Sequence, residues 1–184
     1  NKTFQGISVN YVINERYRDT NTGYSLMLAA SVIGTSEFIK FDADVVFDAK
    51  ILRQVMDSDL PNVLCIDRNI ALADEEVKVI VDNQMRVIEI GKSLDPKKAR
   101  GESIGIEKIS AVSGQLLFAE LTRMMESEVH SQDYYEAAYQ RLVHEGIPFH
   151  STDITGLDWT EIDTVADFEA ANAMFKTEVQ TTLS

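Results

Sequence analysis

The stretch Phe38-Ile39-Lys40-Phe41-Asp42-Ala43-Asp44-Val45-Val46-Phe47 is the most informative in the chain. Its first four residues are mostly aromatic or β-branched, the composition of a strand, which with Glu37 is read over residues 37–41 and runs directly into two aspartates. A strand ending in carboxylates places them at a C-terminal sheet edge, where open α/β sheets bind ligands. If the extended backbone persists, Asp42 and Asp44 point to the same side. Two carboxylates so placed suit a hard cation such as Mg²⁺, which fills its other positions with water and phosphate oxygens. The plainer account has one aspartate capping a turn and the other solvated.

Working outward, residues 48–56 read as a helix and 62–66 as a strand, while upstream residues 6–13 read as a strand. Residues 21–33 read as a helix capped by Asn21 or Thr20 and stopped by Gly34. This alternation predicts a parallel sheet covered by helices on both faces. Residues 76–81 and 85–90 flank Asp82-Asn83-Gln84 as a hairpin, so the sheet is expected to be mixed. A basic loop at 97–101 leads to a strand at 103–109, and Ser110 caps a helix to about Met125. After a polar stretch at 127–131, residues 133–144 form a helix with Tyr135, Ala138, Tyr139 and Leu142 at three- and four-residue spacing. Residues 147–150 read as a short strand, and Thr164 opens a terminal helix with Asp167 three residues on, as in a capping box. The expected class is α/β: three layers, α/β/α, around a mixed and mainly parallel sheet, in a single domain spanning residues 1–184.

Composition bounds the function. The 184 residues include 30 acidic and 17 basic side chains, a formal charge of −13, with 45% hydrophobic residues. Such a charge repels nucleic acid and anionic membrane surfaces. It also opposes a phosphorylated substrate, unless a divalent cation and a few local lysines reverse the field inside one cleft. Cys65 is the only cysteine, which excludes an intramolecular disulfide and a cysteine metal cluster and fits a reducing compartment, with cytoplasm expected. No run approaches the roughly 20 apolar residues that span a bilayer. No basic-then-apolar leader stands at the start, and the chain does not open on Met, so its given ends need not be the native ones.

A second acidic tip, Trp159-Thr160-Glu161-Ile162-Asp163, precedes the terminal helix. Alone, Asp163 could simply end a strand. Paired with Asp44, it could close a divalent site of the kind phosphoryl and nucleotidyl transfer use. Lys92 follows a strand and a glycine, where a cation could approach a phosphate, although a solvated lysine is the commoner case. Lys78, Lys97, Lys98 and Arg100 could add to a positive field. His130, His144 and His150 lack metal-ligand spacing. Tyr134, Tyr135 and Tyr139 read as core aromatics, though such ring faces also attract an ammonium group. No Walker-type loop and no Ser-His-Asp or Cys-His arrangement is present.

Taken in order, the segments NERYRDTNTGYSL (14–26), FDADVVF (41–47), EEVKVIVD (75–82), IGKSL (90–94), GESIGI (101–106) and WTEIDTVADF (159–168) resemble the sugar-phosphate nucleotidyltransferase family. The resemblance is strongest to the cytidylyltransferases that activate phosphocholine, inositol phosphate or 2-aminoethylphosphonate. It implies a Rossmann-like sheet that holds CTP and Mg²⁺, and an acceptor phosphate that attacks the α-phosphorus and releases pyrophosphate. It further implies Asp44 as a metal ligand, Asp163 with Glu161 as the second metal-binding group, and Lys92 on the transferring or attacking phosphate. Glu102 would lie near the acceptor, with Asn21, Tyr24 and Ser25 lining the same pocket. Tyr134, Tyr135 and Glu136 would suit a cationic amine on the acceptor. A homodimer is compatible with this reading.

One departure stands out. The family opens on a strand and a glycine-rich loop of the type L-A-A-G-x-G-T-R-L, and the present sequence starts roughly 50 residues into the pattern, judged against a domain of ordinary length. An N-terminally incomplete sheet is therefore expected. Two further readings follow from the same residues. In a haloacid-dehalogenase-type phosphatase, Asp42 would be the nucleophile and Asp44 the acid/base. In a noncatalytic relative of the transferases, the fold would only bind a metabolite.

Overall fold

The computed structural model describes residues 2–69, 72–127, 130 and 132–179. Of the polar stretch read at 127–131, residues 128, 129 and 131 lie outside the described residues. In chain order the elements are β1 (Lys2–Phe4), β2 (Ile7–Val9), α1 (Thr22–Ile33), β3 (Phe38–Phe41), β4 (Val45–Phe47), α2 (Ala49–Met56), β5 (Asn62–Asp67), β6 (Lys78–Val81), β7 (Val87–Gly91), β8 (Gly101–Ile109), α3 (Ala111–Met125), α4 (Tyr135–His144), β9 (His150–Asp153), β10 (Trp159–Glu161) and α5 (Val165–Val179).

The helices start where capping chemistry permits. Asn21 accepts from the Thr22 N–H at 2.8 Å, Asp48 from the Lys50 N–H at 2.8 Å, and Ser110 from the Ser113 N–H at 3.3 Å, each satisfying an otherwise orphaned donor. At α5 the box is reciprocal: the Thr164 N–H donates to Asp167 Oδ2 at 2.8 Å, and the Asp167 N–H donates to Thr164 Oγ1 at 3.3 Å. The strand expected at residues 6–13 is shorter, since β2 stops at Val9 and pairs with the three-residue β1.

The central sheet runs β7-β6-β8-β5-β9, with β3 also pairing with β8. It is mixed, as expected, but not mainly parallel. Among the described residues only β5 and β9 run parallel, whereas β3–β8, β5–β8, β6–β7 and β6–β8 are antiparallel. The reason is β8, which enters against the direction of all three strands that flank it.

Alternation along β5 serves both faces. Leu64 and Ile66 pack with Leu117, Leu121, Tyr135, Tyr139 and Leu142 beneath α3 and α4, against which α1 also lies. Cys65 points the other way, to Ile104, Ile106 and the α2 residues Ile51 and Val55. Helices thus cover both faces, giving the expected three layers. Burial raises the Cys65 thiol well above its ordinary range, so it is inert. Asn62 joins the start of β5 to α3: its amide donates to Ser113 Oγ at 2.8 Å and its carbonyl oxygen accepts from the Ser110 N–H at 3.0 Å. No helix among the described residues is long and apolar enough to cross a membrane.

Candidate active site

Asp44 and Asp163 come together through a small ribbon. Asp44 lies in the turn between β3 and β4, and Asp163 in the turn between β10 and α5. Strands β4 and β10 pair antiparallel with Val45 opposite Glu161, and the Ile162 N–H donates to the Asp44 carbonyl at 3.0 Å. The two acidic tips therefore share one edge, as parts of a cleft of about 450 Å³.

The opposite wall is built from the β6–β7 hairpin and the start of α4. Lys92 follows β7; its ammonium stands 3.5 Å from Glu75 Oε2 and 4.7 Å from the centre of the Tyr134 ring. Its backbone is anchored by Lys78, a lysine only 1% exposed, whose Nζ donates to the carbonyls of Lys92 at 2.6 Å and Glu76 at 3.0 Å. Glu102 stands on β8 opposite Lys78 on one side and Asp67 on the other. The glycine before it has a steric cause: a Cβ at Gly101 would run into the Asp67 carbonyl.

Among the described residues, eight carboxyl groups line this cleft against one lysine, Lys92. The crowding is visible in protonation. Burial, then the charges of Glu161, Glu76 and Asp67, pushes the Glu102 carboxyl up to about 7. Burial, followed by Asp44, Asp163 and Asp42, also raises Glu161. The Glu136 carboxyl is raised chiefly by burial. A second cavity of about 560 Å³ shares Glu76, Glu102, Glu161 and Asp163 as a common wall and extends to Trp159, whose indole N–H donates to Asp67 Oδ2 at 2.8 Å.

Of the residues expected to act together, Asp44, Glu161, Asp163, Lys92, Glu102, Tyr134, Tyr135 and Glu136 line the one cleft. Asn21, Tyr24 and Ser25 do not. Asn21 is spent as the N-cap of α1, Ser25 Oγ accepts from the Asn14 amide at 3.0 Å, and the Tyr24 ring lies under Arg16. Thr22 lines the cleft from that segment instead, and accepts from the Tyr135 N–H at 3.3 Å. The tyrosine faces proposed for a ligand ammonium already hold internal ones: Lys92 near Tyr134, and Lys40 3.4 Å from the centre of the Tyr135 ring.

Asp42 is not a second metal-facing twin of Asp44, nor a free nucleophile. Its Oδ2 accepts from Tyr135 Oη at 2.7 Å and its Oδ1 pairs with Lys40 at 2.8 Å. Sequence reading missed the buried roles of Lys40 and Lys78, for which an apolar strand gives no signal. The carboxylates of Asp44, Glu161 and Asp163 offer the hard oxygen donors that Mg²⁺ takes. Their mutual charge, felt at Glu161, is of the kind a cation relieves. Among the described residues, however, no three such groups are drawn together at ligand spacing.

No protein-family model and no curated protein matches the sequence. Solved structures do. An inositol-1-phosphate CTP transferase from T. maritima superposes with a TM-score of 0.69 at 19% identity, over 89% of this chain and 64% of that one. A CTP:phosphocholine cytidylyltransferase from Streptococcus pneumoniae gives 0.69 at 19% identity, over 88% and 66%. A CMP:2-keto-3-deoxy-manno-octonic acid synthetase complexed with CTP gives 0.61 at 19% identity, over 86% and 69%. The chain thus spans less than two thirds of the first two structures and slightly more of the third. Its architecture is that of the nucleotidyltransferase fold.

Proposed function

We propose that this chain carries the reaction centre of a Mg²⁺-dependent nucleotidyltransferase that couples CTP to a small phosphate or phosphonate monoester, such as phosphocholine, 2-aminoethylphosphonate or inositol phosphate. The observation that carries the reading is the meeting of Asp44, Glu161, Asp163 and Lys92, from three distant segments, on one cleft. CTP is favoured by the motif resemblance to cytidylyltransferases, and the three neighbours named above carry CTP or cytidylyl in their descriptions. A glucose-1-phosphate thymidylyltransferase and a UDP-glucose pyrophosphorylase superpose comparably, with TM-scores of 0.70 and 0.65, so pyrophosphate release is compared across CTP, UTP and dTTP.

In this reading an oxygen of the acceptor phosphate attacks the α-phosphorus of CTP. A new P–O bond forms as the bond to the β-phosphate breaks, and pyrophosphate leaves with that electron pair. The attacking oxygen is already ionised near neutral pH, so the chain needs to supply alignment and charge more than a base. Lys92 presents its ammonium to the transferring group, steadied by Glu75 and the Tyr134 ring. Asp44, Glu161 and Asp163 would hold the cation, which when bound neutralises phosphate charge. Glu102 and Glu136 face the acceptor. The cytoplasm, where CTP and a reduced Cys65 coexist, is the compartment this reading implies.

Pyrophosphate release from CTP, measured with each candidate acceptor, tests it. Asp44→Ala is expected to abolish turnover and leave thermal unfolding unchanged, because its side chain is exposed; undiminished turnover in that variant overturns the assignment. Lys92→Ala is expected to lower kcat more than it changes KM, since its contact strengthens as charge develops.

A further inference from the structure

Where β3 ends, at the floor of the cleft that Asp42 and Tyr135 help to line, lies a charged cluster to which the proposed chemistry assigns no step. Lys40 stands in the middle of β3 with only 10% of its side chain exposed. Its ammonium lies 2.8 Å from Asp42 Oδ1, 3.3 Å from Glu107 Oε2 and 3.4 Å from the centre of the Tyr135 ring. Neither carboxylate contact is aligned as a hydrogen bond, so Lys40 acts as a point charge held between two acids and a π face. Tyr135 Oη closes the circuit by donating to the other oxygen of Asp42 at 2.7 Å.

The backbone of Asp42 is fixed as well. Its N–H donates to the Gly105 carbonyl at 2.9 Å. Gly105 has a φ of 72° within the irregular stretch of β8, and a Cβ there would collide with the Asp42 carboxylate. One aspartate is thereby clamped from β3 by Lys40, from β8 by Gly105 and from α4 by Tyr135. Two residues later comes Asp44, on one wall of the cleft; the residues on either side of Tyr135 are Tyr134 and Glu136, on the other.

Buried ion pairs contribute little net stability, because desolvation offsets their attraction. Stability alone is a weak reason for a lysine inside an apolar strand. We propose that Lys40, Asp42 and Tyr135 are positioning residues that set the spacing between the Asp44 turn and the Tyr134–Glu136 segment, and so fix the width of the cleft. Only the turnover readout of this proposal rests on the function proposed above.

The test uses Tyr135→Phe, which deletes one oxygen and keeps both the ring beneath Lys40 and its edge contact with Tyr139, together with Lys40→Met and Lys40→Arg. Amide hydrogen exchange is read by mass spectrometry on peptides covering residues 41–47 and 132–138, with β5 as the internal reference. Tyr135→Phe and Lys40→Met are expected to speed exchange about tenfold in both peptides and not in β5. Lys40→Arg is expected to restore part of the protection. In the same variants kcat is expected to fall about tenfold with little change in KM. Unaltered exchange in both peptides of Tyr135→Phe overturns the proposal, as does an increase spread equally through β5. Wild-type protein that releases no pyrophosphate would defeat the assigned reaction, while the exchange measurement would still decide the clamp.

Discussion

Strand β8 and the N-terminal arm invert the usual relation between polarity and burial. In β8, Glu107 is fully buried and Glu102 nearly so, whereas Phe4, Ile7, Tyr11, Ile13 and Tyr17 are all exposed. Hydrophobicity does not separate these regions; pairing does. Strand β8 is flanked along one edge by β5 and along the other by β3 and β6, while among the described residues β1 and β2 pair only with each other. A charged side chain in the middle of a sheet is enclosed by its position, and its energetic cost is met locally, as by Lys40 beside Glu107. Of the two carboxylates enclosed in this way, Glu102 also lines the cleft.

The contrast can be broken at its strongest point first. Ile106 on β8 is fully buried, and Ile106→Ala is expected to cost about 2–5 kcal/mol through lost burial and the cavity left behind. A denaturant midpoint that barely moves would show the centre of the sheet to be loosely packed. A smaller effect lies in pH. Burial, opposed by Lys40, pushes the Glu107 carboxyl up to about 7 from its ordinary 4.5. Between those limits the folded protein holds a proton that the unfolded chain has lost, so this residue makes stability decline as pH rises from about 4.5 to about 7. Its slope is about 1 kcal/mol per pH unit. Glu107→Gln should flatten that decline, and an equally steep fall in the variant would assign the effect elsewhere, with Glu102 the first suspect. The smallest effect is expected in the arm: Ile13→Ala should move the unfolding free energy by no more than about 0.5 kcal/mol. A larger loss would mean that the arm is covered in solution.

Local signals carried much of the architecture. The three- and four-residue spacing of Tyr135, Ala138, Tyr139 and Leu142 predicts a core-facing helix, and all four are buried. The Thr164–Asp167 box is present at the start of α5. Strand direction was not legible, because it depends on where each connection returns, and periodicity is blind to that. The same limit applies at Asn21, Tyr24 and Ser25: their order along the chain matches a pocket segment, but they do not line the cleft, and Asn21, placed to cap α1, turns its side chain to the backbone. That Asp44 and Asp163 would meet was legible only from the order of the motifs, because either acidic tip alone could equally end a strand or cap a turn; the structure brings both to one cleft. Lys40 and Lys78 were not legible, since a buried lysine looks like any other until its partners arrive from distant strands.

Trp159 has a practical consequence. It is the sole tryptophan in the chain, its indole N–H is engaged by Asp67, and it lies two residues before Glu161 on the wall shared by both cavities. Indole emission responds to neighbouring charge and hydration. The molecule therefore carries its own optical gauge: titrating cations or nucleotides against native fluorescence would report events at the carboxylate wall with no dye, tag or added chromophore.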